Sequence, residues 1–236
     1  MEIHPSLWTT LIASLLGKDL HSLAMYDHVI AAGIVFLVLA VMALLIKKNL
    51  NLVPGGLQQV FEVALKGILG MLDENIGPEG RKYLPLIGGL AFFIFVSNFL
   101  GMVPSFSAAT GNLNTTVACA VIVFLYYNFQ GIKEHGLVYF RHFFGPIPLR
   151  GLWLVLALIM LPIEIISHLA RPFSLSIRLF ANISGEHIIA IVFYSLFAWL
   201  VPVPLMIFGL FAAFLQTYVF IMLSQIYIAG AIAHDH

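Results

Sequence analysis

Residues 164–187 read EIISHLARPFSLSIRLFANISGEH, and this stretch decides the class of protein that the chain forms. An α-helix turns about 100° per residue, so one narrow stripe of this segment collects six polar side chains. All lie within about 40° of Glu164 on that geometry, and the full set is Glu164, His168, Arg171, Arg178, Asn182 and Glu186. Ile, Leu and Phe occupy much of the remaining surface. The segment therefore predicts a helix whose polar face points away from lipid.

The rest of the chain is strongly apolar. Of its 236 residues, 61% are hydrophobic and 9% are charged, whereas soluble domains carry about 25% charged residues. This is too little polar surface to cover a water-soluble globule. We therefore predict an integral membrane protein solvated by the lipid bilayer. The net charge is +0, which gives no indication of a nucleic-acid partner.

Hydropathy predicts an all-α polytopic membrane protein that forms one domain over residues 1–236. A spanning helix needs about 20 predominantly apolar residues, and the predicted spans are residues 29–46, 84–103, 116–128, 152–198 and 203–230. Residues 57–72 carry apolar positions at helical spacing around Glu62 and Lys66. This pattern predicts an amphipathic helix on the membrane surface. Pro162 and Pro172 are expected to kink the long fourth segment.

The basic residues predict the orientation of the spans. Lys and Arg cluster between the first two spans and after the third, whereas residues 104–116 contain none. Basic loops stay in the cytoplasm, so the N-terminus is expected outside and the C-terminus in the cytoplasm. Residues 1–20 lack the basic start and the cleavage site of a secretory signal. The expected location is a bacterial inner (plasma) membrane.

The polar stripe predicts a path for an ion. A charge at bilayer depth costs from about 2.5 to more than 10 kcal/mol, so a water-lined path explains six polar groups better than ion pairs that only join helices. Arg178 stays protonated even when desolvated. Its neighbours Glu164, His168, Glu186 and His187 are able to exchange protons. One fixed charge between titratable groups suits two access paths separated by a barrier. Arg171, beside Pro172, also fits snorkelling to an interface.

Polar residues elsewhere carry a weaker signal. Gln216 and Tyr227 lie about 20° apart on the last predicted helix, with Ser224 nearby. Asn98 lies within the second span and Asn114 at the start of the third. For each of these residues, hydrogen bonding between helices is at least as good an explanation as a transport role.

Several motifs together resemble subunit a of F-type ATP synthases. The run SLSIRLFANISGEH (residues 174–187) follows LPIE (161–164) and precedes LQTYVFIMLSQIY (215–227). VSNFLGMVP (96–104) and NLNTTVA (112–118) occur upstream in the family's order. The resemblance covers nearly the whole chain.

The resemblance implies a membrane stator beside a rotating ring of c subunits. Two half-channels would reach the ring from opposite sides, with Arg178 between them and facing the ring's carboxylate. Glu164, Asn182, Gln216 and Tyr227 fall on positions that the family associates with these half-channels. The last two helices would lie strongly tilted against the ring. The b-subunit peripheral stalk and other ATP synthase subunits would be further partners.

The resemblance also leaves two questions open. Many family members place a Glu where this chain has His187, and here Glu186 precedes it. We expect Glu186 to line the path, because it shares the stripe with Arg178. The coupling ion is expected to be H⁺, with Na⁺ as the alternative, because the ion site lies on the ring.

Other classes of protein fit less well. No cofactor is expected, and the chain lacks the phosphate-cradling motif that ATP hydrolysis requires, so we predict a non-catalytic subunit. A stand-alone transporter would often show internal repeats, and none is evident. A haem- or metal-binding subunit would need His pairs facing each other on spans, but most of the nine His lie in predicted loops or at the termini.

Overall fold

The computed structural model describes residues 7–16, 26–48, 50–102, 106–136, 139, 153–196 and 202–233. Within these ranges every regular element is an α-helix or a short 3₁₀ turn, which confirms the predicted all-α class. The α-helices are α1 (Leu7–Leu16), α2 (Asp27–Lys48), α3 (Gly56–Asn75), α4 (Leu84–Gly101), α5 (Leu113–His135), α6 (Trp153–Leu196) and α7 (Pro202–Ile232). The 3₁₀ turns are Pro78–Tyr83 and Ala109–Gly111.

Four stretches of the described chain are long and apolar enough to cross a membrane. They are Asp27–Lys48, Pro78–Gly101, Leu113–His135 and Pro204–Ile232. The polytopic membrane class predicted from composition is thereby confirmed. The first of these stretches is α2, in which only Ala31 and Val35 are buried, so lipid or a partner must cover much of its apolar surface.

Helix α5 extends beyond the predicted span of residues 116–128 at both ends. It begins at Leu113 because the side chain of Asn112 accepts a hydrogen bond from the backbone N–H of Asn114 at 2.9 Å, which caps the first turn. It ends at His135, before Gly136 takes a φ of +59°, a conformation that glycine adopts without strain. The polar residues 133–135 therefore complete the helix instead of starting a loop.

Helix α3, predicted as a surface helix over residues 57–72, is docked on the bundle. Its residues Ile68 and Leu72 are buried in the core, and it packs against α4 and α7. The side chain of Asn75 donates a hydrogen bond of 2.8 Å to Gln225 of α7. The opposite side of α3 keeps apolar side chains exposed, so the helix has a second apolar face that the described chain leaves uncovered.

Helices α4 to α7 share one core. Helix α6 packs chiefly against α5 and α7, and α7 packs against α4 and α5. Leu175, Leu179, Phe220 and Ile228 are fully or almost fully buried at these contacts. In a bilayer such packing gains little from the hydrophobic effect, because lipid is equally apolar. Van der Waals fit and hydrogen bonds between helices must therefore hold the bundle together.

The last two helices are too long for an upright crossing. Helix α6 has 44 residues and α7 has 31, whereas about 20 residues cross the bilayer's hydrocarbon core. They run antiparallel, since Glu186 of α6 lies against Gly209 and Arg171 lies against Tyr227. Pro162 and Pro172 both lie inside α6.

Candidate functional site

Three helices meet at a cluster of polar and aromatic side chains that we call the inner cluster. It consists of Tyr127 of α5, Glu164, His168 and Arg171 of α6, and Tyr227 of α7. His168 places Nε2 3.5 Å from Oε1 of Glu164, one turn earlier. Its Nδ1 lies 3.3 Å from the hydroxyl of Tyr127. The predicted stripe members Glu164 and His168 are thus brought together with Tyr227, in one group joined by polar and ring contacts.

Arg171 lies at the centre of the inner cluster. Its guanidinium carbon is 5.9 Å from the ring centroid of Tyr127 and 5.4 Å from that of Tyr227. Both distances are in the range of cation–π attraction. The side chain is half-buried. Two tyrosines from neighbouring helices thus flank the charge of Arg171, and its snorkelling to an interface stays a prediction.

Tyr127 is a member of the inner cluster that the sequence did not predict. It lies on α5, where polar periodicity gives no signal, and it is buried against both His168 and Tyr227. The next residue of α5, Asn128, accepts a hydrogen bond of 3.0 Å from the hydroxyl of Tyr139. Burial raises the pKa of Tyr139 to about 12, so this phenol stays a neutral donor.

Arg178 has different surroundings from Arg171. Its side chain is exposed, and no described carboxylate forms an ion pair with it. The adjacent Leu175 and Leu179 point into the core and are 1% and 0% exposed. Ser174 and Ala181, which flank Arg178 on the exposed side, are small. Arg178 therefore lies on an outer face of α6 that another helix can approach closely.

Two buried amides lie near Arg178. Asn182 follows it by one turn on α6. Gln216 lies at about the same level on α7. Glu186 and Gly209 are in contact, and seven residues from each of them along the antiparallel helices lie Leu179 and Gln216. Neither Asn182 Nδ2 nor Gln216 Nε2 has a hydrogen-bond partner among the described residues. Buried polar groups of this kind are usually satisfied by water or by a partner.

Glu186 packs closely on α7. A methyl group built on Gly209 would collide with the Glu186 carboxylate and would also approach the end of Met102. The glycine thus leaves a notch that receives the carboxylate. No described basic side chain forms an ion pair with Glu186. The side chain of His187 lies outside the part of the chain that the structure describes.

The remaining predicted residues belong to local hydrogen-bond networks. Asn98 is buried and accepts a 2.5 Å hydrogen bond from the hydroxyl of Thr110, which also lies 3.3 Å from Ser97. Ser224 is buried and donates to the carbonyl of Phe220 in its own helix. Asn114 is exposed at the start of α5. No group of three or more His, Cys, Asp or Glu side chains in the described ranges is placed to hold a metal ion.

These features define a polytopic membrane protein that carries charged and titratable groups within its helix bundle and one arginine on an outer helix face. Residues 28–229 match the family described as ATP synthase A chain. The chain therefore belongs to the ATP synthase subunit a family, which confirms the resemblance seen in its motifs.

Curated relatives agree along almost the whole chain. It is 46% identical over 223 residues to ATP synthase subunit a 1 of Syntrophotalea carbinolica, covering 93% of each chain. It is 45% identical to ATP synthase subunit a of Sulfurihydrogenibium sp., over 89% of this chain and 99% of the relative. With the Geobacter sulfurreducens subunit a, it is 43% identical over 235 residues, 99% of this chain and 100% of the relative.

Proposed function

We propose that this chain is the ion-conducting stator subunit of an F-type ATP synthase, with two half-channels that Arg178 separates. The exposed position of Arg178 carries the proposal. A guanidinium on an apolar outer face is costly in a bilayer unless an anion from another molecule meets it. A carboxylate on the rotating c-subunit ring has the required charge. The small flanking side chains of Ser174 and Ala181 support close approach of a ring helix.

The polar groups on either side of Arg178 support two separate paths. Towards the α6–α7 connection, the path would pass Glu186, Asn182 and Gln216. The amide nitrogens of Asn182 and Gln216 have no partner among the described residues and are suited to binding water. Towards the other end, it would pass the inner cluster with Glu164, His168 and Tyr227. Asn114 and Ser224 would have supporting roles only, because their polar groups serve solvent or a local contact. The role of Asn98 is less restricted, since its side-chain nitrogen is buried without a hydrogen-bond partner among the described residues.

The fixed charge accounts for the separation of the paths. Arginine does not release its proton at physiological pH, so it blocks direct transfer from one path to the other. Each elementary charge that crosses the membrane releases about 2.3 kcal/mol per 100 mV, and a leak past Arg178 would waste this energy. The ion therefore has to travel on the ring.

We propose H⁺ as the coupling ion, since the path groups Glu164, His168 and Glu186 all bind protons. Inverted vesicles containing the wild-type complex, with a pH-sensitive dye, test this on addition of ATP. Acidification of the vesicle interior without sodium is expected. Sodium-dependent ATP hydrolysis without acidification would instead assign Na⁺, the ion left open by the sequence.

Glu186 is proposed as the main titratable group of its half-channel, in preference to His187. Its carboxylate occupies the notch at Gly209 and shares a helix stripe with Arg178. Glu186→Gln is expected to slow ATP-driven acidification more than His187→Ala does. Normal pumping by Glu186→Gln together with failure of His187→Ala would reverse the assignment.

The proposed setting follows from the same role. The chain would be non-catalytic itself and would work beside the c-subunit ring, the b-subunit peripheral stalk and the other ATP synthase subunits. It would lie in a bacterial inner membrane, with its N-terminus outside and its C-terminus in the cytoplasm. Helices α6 and α7 would lie strongly tilted along the ring, since both exceed the length of an upright span.

A further inference from the structure

An open groove lies between the end of α2 and the start of α3, away from the proposed ion path. It has a volume of 320 Å³. Leu45 and Ile46 form its wall on α2, and Gly55 with the first residues of α3, Gly56 and Leu57, forms the opposite wall. The volume and the mostly apolar lining are in the range of small-molecule sites, which begin at about 300 Å³.

Internal hydrogen bonds hold the groove open. The side chain of Gln58 accepts a hydrogen bond of 3.2 Å from the backbone N–H of Asn51 and donates one of 3.0 Å to its carbonyl. The same amide donates to Glu62 at 2.7 Å. These bonds tie the connection between α2 and α3 onto α3. They also occupy the polar atoms of Gln58, so the groove presents an apolar wall to a ligand.

The surroundings of the groove match a phospholipid. Leu50, Leu52 and Val53 in the adjoining connection are 65%, 106% and 84% exposed, so apolar material has to cover them. Lys47 and Lys48 are exposed at the end of α2, where the membrane-crossing stretch stops. Lys48 follows Leu45 by three residues and so lies on the neighbouring part of the helix surface. No described carboxylate forms an ion pair with either lysine.

We propose that this groove binds one acyl chain of an anionic phospholipid whose phosphate contacts Lys47 and Lys48. Two lysines beside an apolar slot at the end of a membrane-crossing helix favour an anionic headgroup over a zwitterionic one. The lipid would also cover the exposed connection. The site would thereby fix the position of α3, which carries Asn75 against Gln225 of α7.

Photo-crosslinking of lipid to the intact complex tests the site. The purified ATP synthase is placed in phosphatidylcholine nanodiscs that contain a trace of phosphatidylglycerol with a photoreactive acyl chain. A matched sample contains phosphatidylcholine with the same photoreactive chain. Mass spectrometry then maps the labelled peptides of this subunit. Labelling of residues 45–58 is expected to be several-fold higher with the phosphatidylglycerol probe.

Two variants separate the headgroup contact from the chain contact. Lys47→Gln with Lys48→Gln should reduce phosphatidylglycerol labelling to the phosphatidylcholine level. Gly56→Leu should reduce labelling by both probes, because its side chain enters open space beside the groove and meets no protein atom within 4 Å at its Cβ. Lys66→Gln with Lys133→Gln controls for charge, and Gly67→Leu controls for the added side chain on α3. Neither control should alter labelling.

Three results would overturn the proposal. Equal labelling of residues 45–58 by both wild-type samples would indicate ordinary bilayer contact. Labelling that survives both test variants would place the lipid elsewhere. A photoreactive group at Leu57 that captures another subunit instead of lipid would assign the groove to a protein partner. Subunit content of each purified variant complex, measured by immunoblot, shows that the variants assemble.

Discussion

Arg171 and Arg178 lie seven residues apart on α6 and point in nearly the same direction on a helical projection, about 20° apart. Their surroundings are nevertheless opposite. Arg171 is enclosed by rings from α5 and α7, whereas Arg178 is exposed on the outer face of α6. Angular position on one helix therefore does not determine the environment of a charge. The neighbouring helices determine it.

The difference assigns the two arginines different partners. The charge of Arg171 is stabilised within the chain, by Tyr127 and Tyr227. Arg178 forms no ion pair with a carboxylate in the described part of the chain, which leaves its charge available to another molecule. Under the proposed function that molecule is the c-subunit ring, so Arg178 is the residue through which this subunit acts on another. Arg171 instead holds three helices of the inner cluster together.

The largest expected effect concerns the outer face around Arg178. A cysteine at Ser174 should form a disulfide with a cysteine on the ring helix, while a cysteine at the buried Leu175 should not. Disulfides require Cα atoms within about 7 Å and Cβ atoms that face each other, so the cysteine at Ser174 should cross-link readily and the one at Leu175 little or not at all. Cross-linked product on a denaturing gel measures this. Equal yields at both positions would show that the two faces of α6 are not distinct.

A second test fills the notch that receives Glu186. In Gly209→Ala the new methyl group takes the place of the Glu186 carboxylate, so the flexible end of that side chain has to move out of the notch. Pumping should fall several-fold and should recover in part when Glu186→Asp shortens the side chain. Gly230→Ala is the control, because a methyl group there meets nothing within 4 Å. If Gly230→Ala reduced pumping as much as Gly209→Ala does, the contact between the methyl group and Glu186 would not be the cause.

A third test removes the enclosed charge. Arg171→Leu loses two cation–π contacts, worth about 0.5–2 kcal/mol each, so the complex should release this subunit at a temperature a few degrees lower. Arg171→Lys should retain part of the stability, since it keeps the cation. Thermal release can be followed by gel filtration of heated samples. If the complex with Arg171→Leu were as stable as wild type but inactive, Arg171 would act in ion transport, as Arg178 is proposed to do. The two arginines would then not differ in role.

The smallest effect is expected at a third arginine, Arg81, whose exposed side chain forms an ion pair within the chain. Its guanidinium donates two hydrogen bonds, of 2.9 and 2.8 Å, to Asp73, and they lower the pKa of Asp73 below its ordinary value of 3.8. The stabilisation is therefore present above that value and is lost as pH falls through the lowered pKa.

Asp73→Asn should make the complex slightly less stable than wild type at neutral pH. The difference should vanish only in acid below the ordinary pKa of Asp73, where wild type loses the same pair. Thermal release measured as a function of pH checks this. A difference in stability between the variant and wild type that grew as the pH fell would contradict this prediction.

The sequence predicted more of the fold than of the site. The all-α membrane class followed from composition, and α6, predicted over residues 152–198, runs from Trp153 to Leu196. The ends of α5 were missed because a cap at Asn112 and a glycine at 136 set them, and hydropathy does not detect either. Helix α1 has ten residues, too few for a hydropathy signal of a span.

Periodicity placed Glu164, His168 and Arg171 on one face, but it gave no indication of what covers that face. Tyr127 comes from a helix some forty residues earlier, and its contact with His168 depends on tertiary packing. The exposure of Arg178 is likewise a property of the assembled helices. The notch at Gly209 depends on the register between α6 and α7, which no single helix encodes.

The role of Arg178 as the barrier between the half-channels is tested by ATP-driven dye quenching in inverted vesicles, comparing wild type with Arg178→Ala at equal content of assembled complex. We expect that wild type acidifies the vesicle interior and that the variant does not, because the barrier between the half-channels and the partner of the ring carboxylate are both lost. Acidification by Arg178→Ala at the wild-type rate would contradict the assignment, and the polar stripe would then be a structural contact between helices.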